Sequence, residues 1–299
     1  NKKDGSKDVL EKVTQIKDIN ISNPHRAHVE ILHDLSFSEL QKDFKITNFV
    51  ELHNAWQKTL DTKEHNKRFY HELSNWYFWA MDYAKFPDDV EKDESIRNAT
   101  NLIRLITRII FIWFIKEKGF VPEKIFNKNE VVKLVKDFCK NDKSHNYYNA
   151  ILQNLFFGTL NQNMKERKFA IESDDYVKND HGVKNLYRYK DMFIVPEKDV
   201  LKLFADVPFL NGGLFDCLDK DETETEKQKH QYIDGFSRNA QKRAKLPDFL
   251  FFAGETEYDL NPTYGTKNKK YKVRGLIETL SNYKFTITEN TPIEEEIAL

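Results

Sequence analysis

The chain has 299 residues with 47 Lys plus Arg against 48 Asp plus Glu, so its net charge of −1 supplies no global attraction to nucleic acid. Any DNA contact has to use a local basic patch. Hydrophobic residues make up 39% and aromatics 13%, with 23 Phe and 13 Tyr but only 10 Gly and 8 Pro, which argues against disorder and against many-turned all-β folds.

The expected fold class is mainly α, a multi-helix domain with a smaller, more irregular α+β second half, and the length suffices for one large or two medium domains. Residues 1–23 read as the tail of an upstream domain or a linker, with a short alternating segment from Val13 to Ile19. Residues 24–165 read as an aromatic-rich helical domain. Val29, Leu32 and Leu35 have helical spacing, and Ser36 followed by Glu39 fits a capping box. Phe69, Leu73, Trp76, Tyr77 and Ala80 predict a helix over 61–85, with Asp61 or Thr62 as N-cap and Pro87 beyond its end. The next helix runs from about Asn98 to Lys118 and ends at Gly119, whose missing Cβ permits the left-handed closure. Its apolar run, Ile109 to Ile115, is too short and interrupted for a membrane span and reads as buried helix.

On that helix Arg97, Asn101, Arg104 and Arg108 fall within roughly 40° of one another at 100° per residue, a single polar stripe. It suits ion pairing with neighbouring carboxylates or, alternatively, phosphate contact. Helices near 128–140 and 145–163 follow, the second with Tyr148, Ile151, Leu152, Leu155, Phe156 and Leu160 on a core face. Residues 166–299 form the irregular region: Leu246 to Phe252 and Phe285 to Thr288 are candidate strands, and 273–283 a short helix.

The search for chemistry assigns no catalytic, cofactor-binding or metal-binding residue. An amine methyltransferase needs Asn or Asp, two prolines and an aromatic; Asn261-Pro262-Thr263-Tyr264 approaches that pattern but departs at the second proline and lacks an upstream Gly-rich turn. Glu166-Arg167-Lys168 has the Glu-x-Lys form of a nuclease, yet neither Pro87-Asp88 nor Pro247-Asp248 stands in a fitting relation to it. His25 and His28 lack a third ligand. Cys139 and Cys217 stand far apart without a zinc-spaced partner, which suits a reducing cytoplasm. Two basic clusters are the best functional surface: Arg238, Lys242, Arg243 and Lys245, then Lys267, Lys269, Lys270, Lys272 and Arg274 around Tyr271. Cations with an interleaved aromatic suit phosphate contact and stacking.

Several strings together carry a family likeness: Phe69-Tyr70-x-Glu72-Leu73-x-Asn75-Trp76-Tyr77, Leu102-Ile103-Arg104-Leu105 leading to Phe111-Ile112-Trp113-Phe114-Ile115-Lys116-Glu117-Lys118-Gly119, Tyr147-Tyr148 with Leu155-Phe156-Phe157, and Pro208-Phe209-Leu210-Asn211-Gly212-Gly213-Leu214-Phe215. They resemble the region before the methyltransferase domain in type IIG restriction-modification enzymes, and a similar arrangement in BREX adenine methyltransferases. The resemblance implies a non-catalytic helical connector, part of a longer bacterial, cytoplasmic phage-defence protein, with flanking nuclease and adenine-N6 methyltransferase domains and double-stranded DNA as partners. It implies S-adenosylmethionine, and Mg²⁺ if the nuclease is intact, for the parent and neither for this stretch. Asn211-Gly212-Gly213 would make a tight turn returning Leu214 and Phe215 to a core. Two other readings stay open: a divergent or incomplete methyltransferase using Asn261 and Tyr264, and a protein-interaction module.

Overall fold

The structure is a computed structural model, and it describes residues 3–4, 7–8, 21–22, 29, 32–59, 62–171, 184–210, 212–220, 224–225 and 230–283. His25, His28, Asp61, Asn211 and the candidate strand Phe285–Thr288 lie outside the described residues. Among the described residues the chain is mainly α, with two short antiparallel strand pairs, β1 (Lys3–Asp4) with β2 (Lys7–Asp8) and β3 (Thr256–Tyr258) with β4 (Tyr271–Val273). It divides into two compact units, one of residues 1–73 with 281–284 and one of residues 74–280 with 285–299. The change of texture expected near residue 165 lies inside the second unit.

In the first unit, α1 (Phe37–Phe44) and α2 (Phe49–Thr59) bury a small core of Leu40, Ile46 and Ala55 with Leu52 against it. The capping box expected at Ser36 and Glu39 does not form. Ser36 makes no side-chain cap bond, and Glu39 pairs instead with Lys42 at 2.7 Å. A reciprocal cap of this kind is present instead at the start of α2: Asn48 Oδ1 accepts from Glu51 N, and Glu51 accepts from Thr47 N at 2.7 Å. The start of α3 (Thr62–Met81) is tied in by Arg68, which donates to Asp34 at 2.6 Å and Glu72 at 3.2 Å. Burial opposes its charge, but the two carboxylates more than offset that and raise its pKa.

The second unit is organised by α4 (Glu94–Glu117). Asp93 caps its start by accepting from Ile96 N. Gly119, at φ +79°, closes its end with bonds from Gly119 N to Lys116 O and Phe120 N to Ile115 O, the paired pattern of a left-handed cap. The apolar run that looked too short for a membrane thus lies in a helix of 24 residues that is long and apolar enough to cross one by length and composition. Leu102, Leu105, Ile109, Ile112 and Trp113 nevertheless face the protein core.

The helix expected over 128–140 stops early. Only Lys128–Leu134 (α5) is helical, because Val135 turns extended and pairs antiparallel with Phe193. The segment predicted as a one-faced helix near 145–163 is a π-helix, Tyr147–Leu160, buried on every side. Its amide side chains tolerate this because each finds a fixed partner: Asn149 donates to Ala244 O, Gln153 to Asp234 O, and Asn154 brackets Arg188 by donating to its carbonyl and accepting from its amide. After α6 (Glu197–Leu203), the candidate strand Leu246–Phe252 proves to hold a helical turn, α7 (Phe249–Phe252). A short continuous apolar run has no period to separate strand from helix, and here Leu250, Phe251 and Phe252 are buried together. The short helix expected at 273–283 is present as α9 (Leu276–Ser281), preceded by α8 (Asn261–Tyr264) in the turn of the second hairpin.

Candidate nucleic-acid interface

The surface that carries the basic clusters is positioned from the interior outward, beginning with the arginine stripe of α4. Arg108 is 4% exposed and its guanidinium donates to Leu214 O at 2.8 Å, Asp216 O at 2.9 Å and Asp234 Oδ1 at 2.9 Å. It also lies 5.0 Å from the centroid of the Phe157 ring. Burial works against its charge, yet the Asp234 carboxylate outweighs that and raises the pKa. Arg97, at the start of the stripe, donates to the carbonyls of Phe86, Glu91 and Lys92, while Arg104 reaches Asn101. The stripe therefore serves internal pairing, as the first of its two readings expected, with backbone carbonyls as partners more often than carboxylates.

Arg108 also joins the strings that carry the family likeness. It lies between the two strings of α4, grips carbonyls on both sides of Phe215, and faces the rings of Phe156 and Phe157. Phe215 is buried against Phe111 and Phe156, so the expected return to the core is present. The turn itself is a single 3₁₀ turn, Gly213–Phe215. Gly212 is extended at φ −162°, while Asn211, the first residue of the expected glycine turn, lies outside the described residues.

Asp234 and its neighbour Asp219 then shape the segment that bears the first cluster. Asp219 is buried and accepts four backbone amides, from Ile233, Asp234, Gly235 and Phe236, at 2.6 to 3.1 Å. Burial and the adjacent Asp234 push its carboxyl pKa up, against the pull of those amides. At Gly235, with φ +63°, a Cβ would stand 2.5 Å from Ala244 N and 2.9 Å from Pro87, so only glycine lets the chain fold back along 237–245. Arg243 consequently points inward, donating to Ser237 O and Arg238 O with its guanidinium 4.5 Å from the Tyr189 ring.

The nine basic residues singled out from sequence divide sharply in this setting. Four pair with carboxylates: Lys242 with Asp89, Lys270 with Glu257 at 3.0 Å, and Lys272 and Arg274 with Glu255 at 2.6 Å each. Arg238 and Arg243 are spent on backbone carbonyls. Lys245, Lys267 and Lys269 are exposed and meet no carboxylate among the described residues. Lys269 stands 4.9 Å from the Tyr271 ring.

Two residues missed by sequence reasoning complete the patch. Lys85 forms an antiparallel bridge with Lys245, with Lys85 N donating to Lys245 O at 2.9 Å and Lys245 N to Lys85 O at 2.8 Å. Directly opposed residues in such a pair project from one face, so two like charges are held side by side at some cost. His145 adds an imidazole: burial, then Lys245 and Arg243 beside it, lower its pKa. Lys85, His145, Arg243 and Lys245 thus gather cationic and N–H groups from three separate chain segments. Nothing in a local window marks Lys85 as their member. The end of α3 also anchors the second cluster, since Tyr258 of the hairpin donates to Asp82 at 2.7 Å.

Asn261 and Tyr264, the candidate amine acceptor and stacking ring, are already occupied. Asn261 accepts from Thr266 Oγ1 and Lys269 N and donates to Asp259 and Lys269 O, closing its own loop. Tyr264 donates to Asn75 at 2.9 Å and its ring stacks on Tyr271 at 5.0 Å. These residues do not fit the task of holding a flipped base. Among the described residues no group of three His, Cys, Asp or Glu side chains converges as a metal site.

Comparison with known proteins gives one relative. The chain is 31% identical over 113 residues, 38% of its length, to a protein of Methanocaldococcus jannaschii named "Putative type II restriction enzyme and methyltransferase". The similarity is to a restriction-modification protein. The matched stretch spans 7% of that protein's length, so its activities as a whole are not carried to this chain by the match. No protein-family model and no solved structure matches the chain.

Proposed function

We propose that the chain is a non-catalytic helical connector of a restriction-modification protein, one that fixes the spacing of neighbouring catalytic domains and touches the DNA backbone. Supporting the first part, Arg108 ties three of the strings that carry the family likeness into one buried core, donating to the carbonyls that flank Phe215 and facing the rings of Phe156 and Phe157. The observation that carries the second part is the Lys85–Lys245 bridge: two exposed lysines paired through their backbones, with no carboxylate partner among the described residues. Phosphate oxygens are the ligand this arrangement suits, and Lys267 and Lys269 extend it along the hairpin. The parent's S-adenosylmethionine and Mg²⁺ chemistry belongs, on this reading, to domains other than this one.

The test is binding of the chain to a fluorescent duplex of random sequence across a salt series, with labelled S-adenosylmethionine titrated in parallel. Salt-dependent DNA binding without cofactor binding is expected, and Lys85→Gln with Lys245→Gln lowers the slope of log K against log salt by about 1.8, at about 0.9 per phosphate contact. Saturable cofactor binding overturns the connector reading. An unchanged slope in the double variant removes the bridge from the interface.

A further inference from the structure

The ring of His145 is held from the interior by a chain of amides whose hydrogen directions are fixed at backbone carbonyls, which only accept. Gln153 Nε2 donates to Asp234 O at 3.0 Å, which leaves Gln153 Oε1 to accept from Asn149 Nδ2 at 2.9 Å and from the Tyr189 hydroxyl at 3.2 Å. Asn149 Nδ2 donates as well to Ala244 O at 3.1 Å. Both its amide hydrogens are then spent, and Asn149 has only Oδ1 to offer His145 Nδ1, 3.2 Å away. Nδ1 therefore keeps its hydrogen in the neutral ring as well as in the protonated one, and any change of charge falls on Nε2.

Nε2 makes no hydrogen bond among the described residues, and His145 is half-buried, unlike the fully buried Asn149 and Gln153. The segment beside the ring brings Arg243 and Lys245, and burial, then these two cations, lower the imidazole's pKa. Lys85 joins them through its bridge to Lys245. On the ring's own loop Asp142 and Lys143 are exposed and opposite in charge. Asp248, whose amide donates to Ser144 O, spends its carboxylate on Cys139 N and Tyr147 N. At neutral pH the imidazole is therefore uncharged and presents a bare lone pair among cations.

A phosphate oxygen cannot settle on that lone pair, since both are acceptors, whereas a proton on Nε2 turns the same meeting into a charge-assisted hydrogen bond. We infer, resting on the reading of the Lys85–Lys245 patch as a DNA-backbone surface, that His145 is a proton-gated phosphate ligand, its Nε2 taking a proton from solvent as a DNA phosphate settles beside Lys245. The two events favour each other, because the anion offsets the cations that oppose the proton. Duplex binding through this patch then tightens as pH falls, whereas contacts from lysine alone do not change with pH in the range where imidazole titrates.

Titration of the intact chain with the fluorescent duplex, at fixed salt and between about pH 5.5 and pH 8, tests this. Affinity is expected to rise as pH falls, approaching about tenfold per pH unit where one proton is taken up. His145→Asn keeps a donor for Asn149 Oδ1 in the place of Nδ1 and deletes Nε2, so its profile flattens. His145→Gln puts a neutral N–H near the place of Nε2, so its profile flattens as well but it binds more tightly than His145→Asn. Calorimetry of the native chain in buffers of different ionisation enthalpy reads the proton directly and needs no variant; uptake is expected, and none overturns the inference. Duplex binding that Lys85→Gln with Lys245→Gln weakens, but that keeps the native pH profile in both His145 variants, also overturns it and leaves the DNA-backbone reading standing. No duplex binding at any pH overturns both.

Discussion

Two charged regions of the second unit follow opposite rules. Around Arg108 each guanidinium nitrogen meets an oxygen, and the neighbouring carboxylates of Asp219 and Asp234 are saturated by backbone amides and by that arginine. At the Lys85–Lys245 bridge two exposed lysines oppose each other, and neither meets a carboxylate among the described residues. A charge taken into the interior must be fully answered or it unfolds the protein; a charge left unanswered at the surface costs little and is free to meet a ligand. The first region is therefore read as architecture and the second as the working surface.

The largest expected effect comes from breaking the first rule. Arg108→Met removes the fork to Leu214, Asp216 and Asp234 and leaves the Asp234 carboxylate buried beside an apolar chain, which costs about 3–5 kcal/mol. Urea unfolding followed by tryptophan fluorescence measures it. Replacing Asp234 by Leu in the same chain should recover part of the loss, because it removes the stranded charge. A loss below about 1 kcal/mol in the single variant would mean that the interior is not organised by this residue.

Asp248 sharpens the contrast within the interior. It is fully buried, accepts from Cys139 N and Tyr147 N at 2.9 Å, and has no cation in its own hydrogen-bond set. Burial pushes its carboxyl up to about 6, against the pull of those two amides. A carboxyl whose folded pKa lies above its ordinary 3.8 contributes stability that is fully present below that value and is lost as pH rises through about 6. The stability advantage of the native chain over Asp248→Asn should thus shrink by on the order of 3 kcal/mol between about pH 4 and pH 7. An advantage that grows with pH would show that the two amides, and not burial, govern this carboxylate.

How far these features were legible in the sequence depends on their range. Helix periodicity located α3 and α4, and the glycine at 119 closed α4 as its missing Cβ allows, because those signals lie within a few residues. The lost capping box at Ser36 is a local outcome, since Glu39 turns to Lys42 three residues on, but the shortened helix at Lys128–Leu134 and the helical turn at Phe249–Phe252 share another cause. In each, a partner far along the chain or a run without period decided the outcome: Val135 leaves the helix to pair with Phe193, fifty-eight residues away. Both basic clusters were visible as composition. Which lysines are neutralised was not, since Lys242 meets Asp89 and Lys272 meets Glu255 only through the fold. Lys85 stood alone in its window for the same reason.

The smallest expected effect is the one that tests the surface rule most directly. Glu255 and Glu257 neutralise Lys270, Lys272 and Arg274 across the β3–β4 hairpin. The acidic side chains lower the local potential of a patch that already includes Lys267 and Lys269, while Lys270, Lys272 and Glu257 are well exposed. Such exposed pairs contribute about 0–1 kcal/mol to stability, so Glu255→Gln with Glu257→Gln should leave the unfolding midpoint almost unchanged. The freed cations should instead tighten duplex binding a few-fold at low salt and steepen its salt dependence, because each ammonium that reaches a phosphate releases a counterion. If the hairpin lies away from DNA, the double variant binds like the native chain and the interface contracts to Lys85 and Lys245; if it binds more weakly, the glutamates hold the hairpin in shape and pairing there is architecture too.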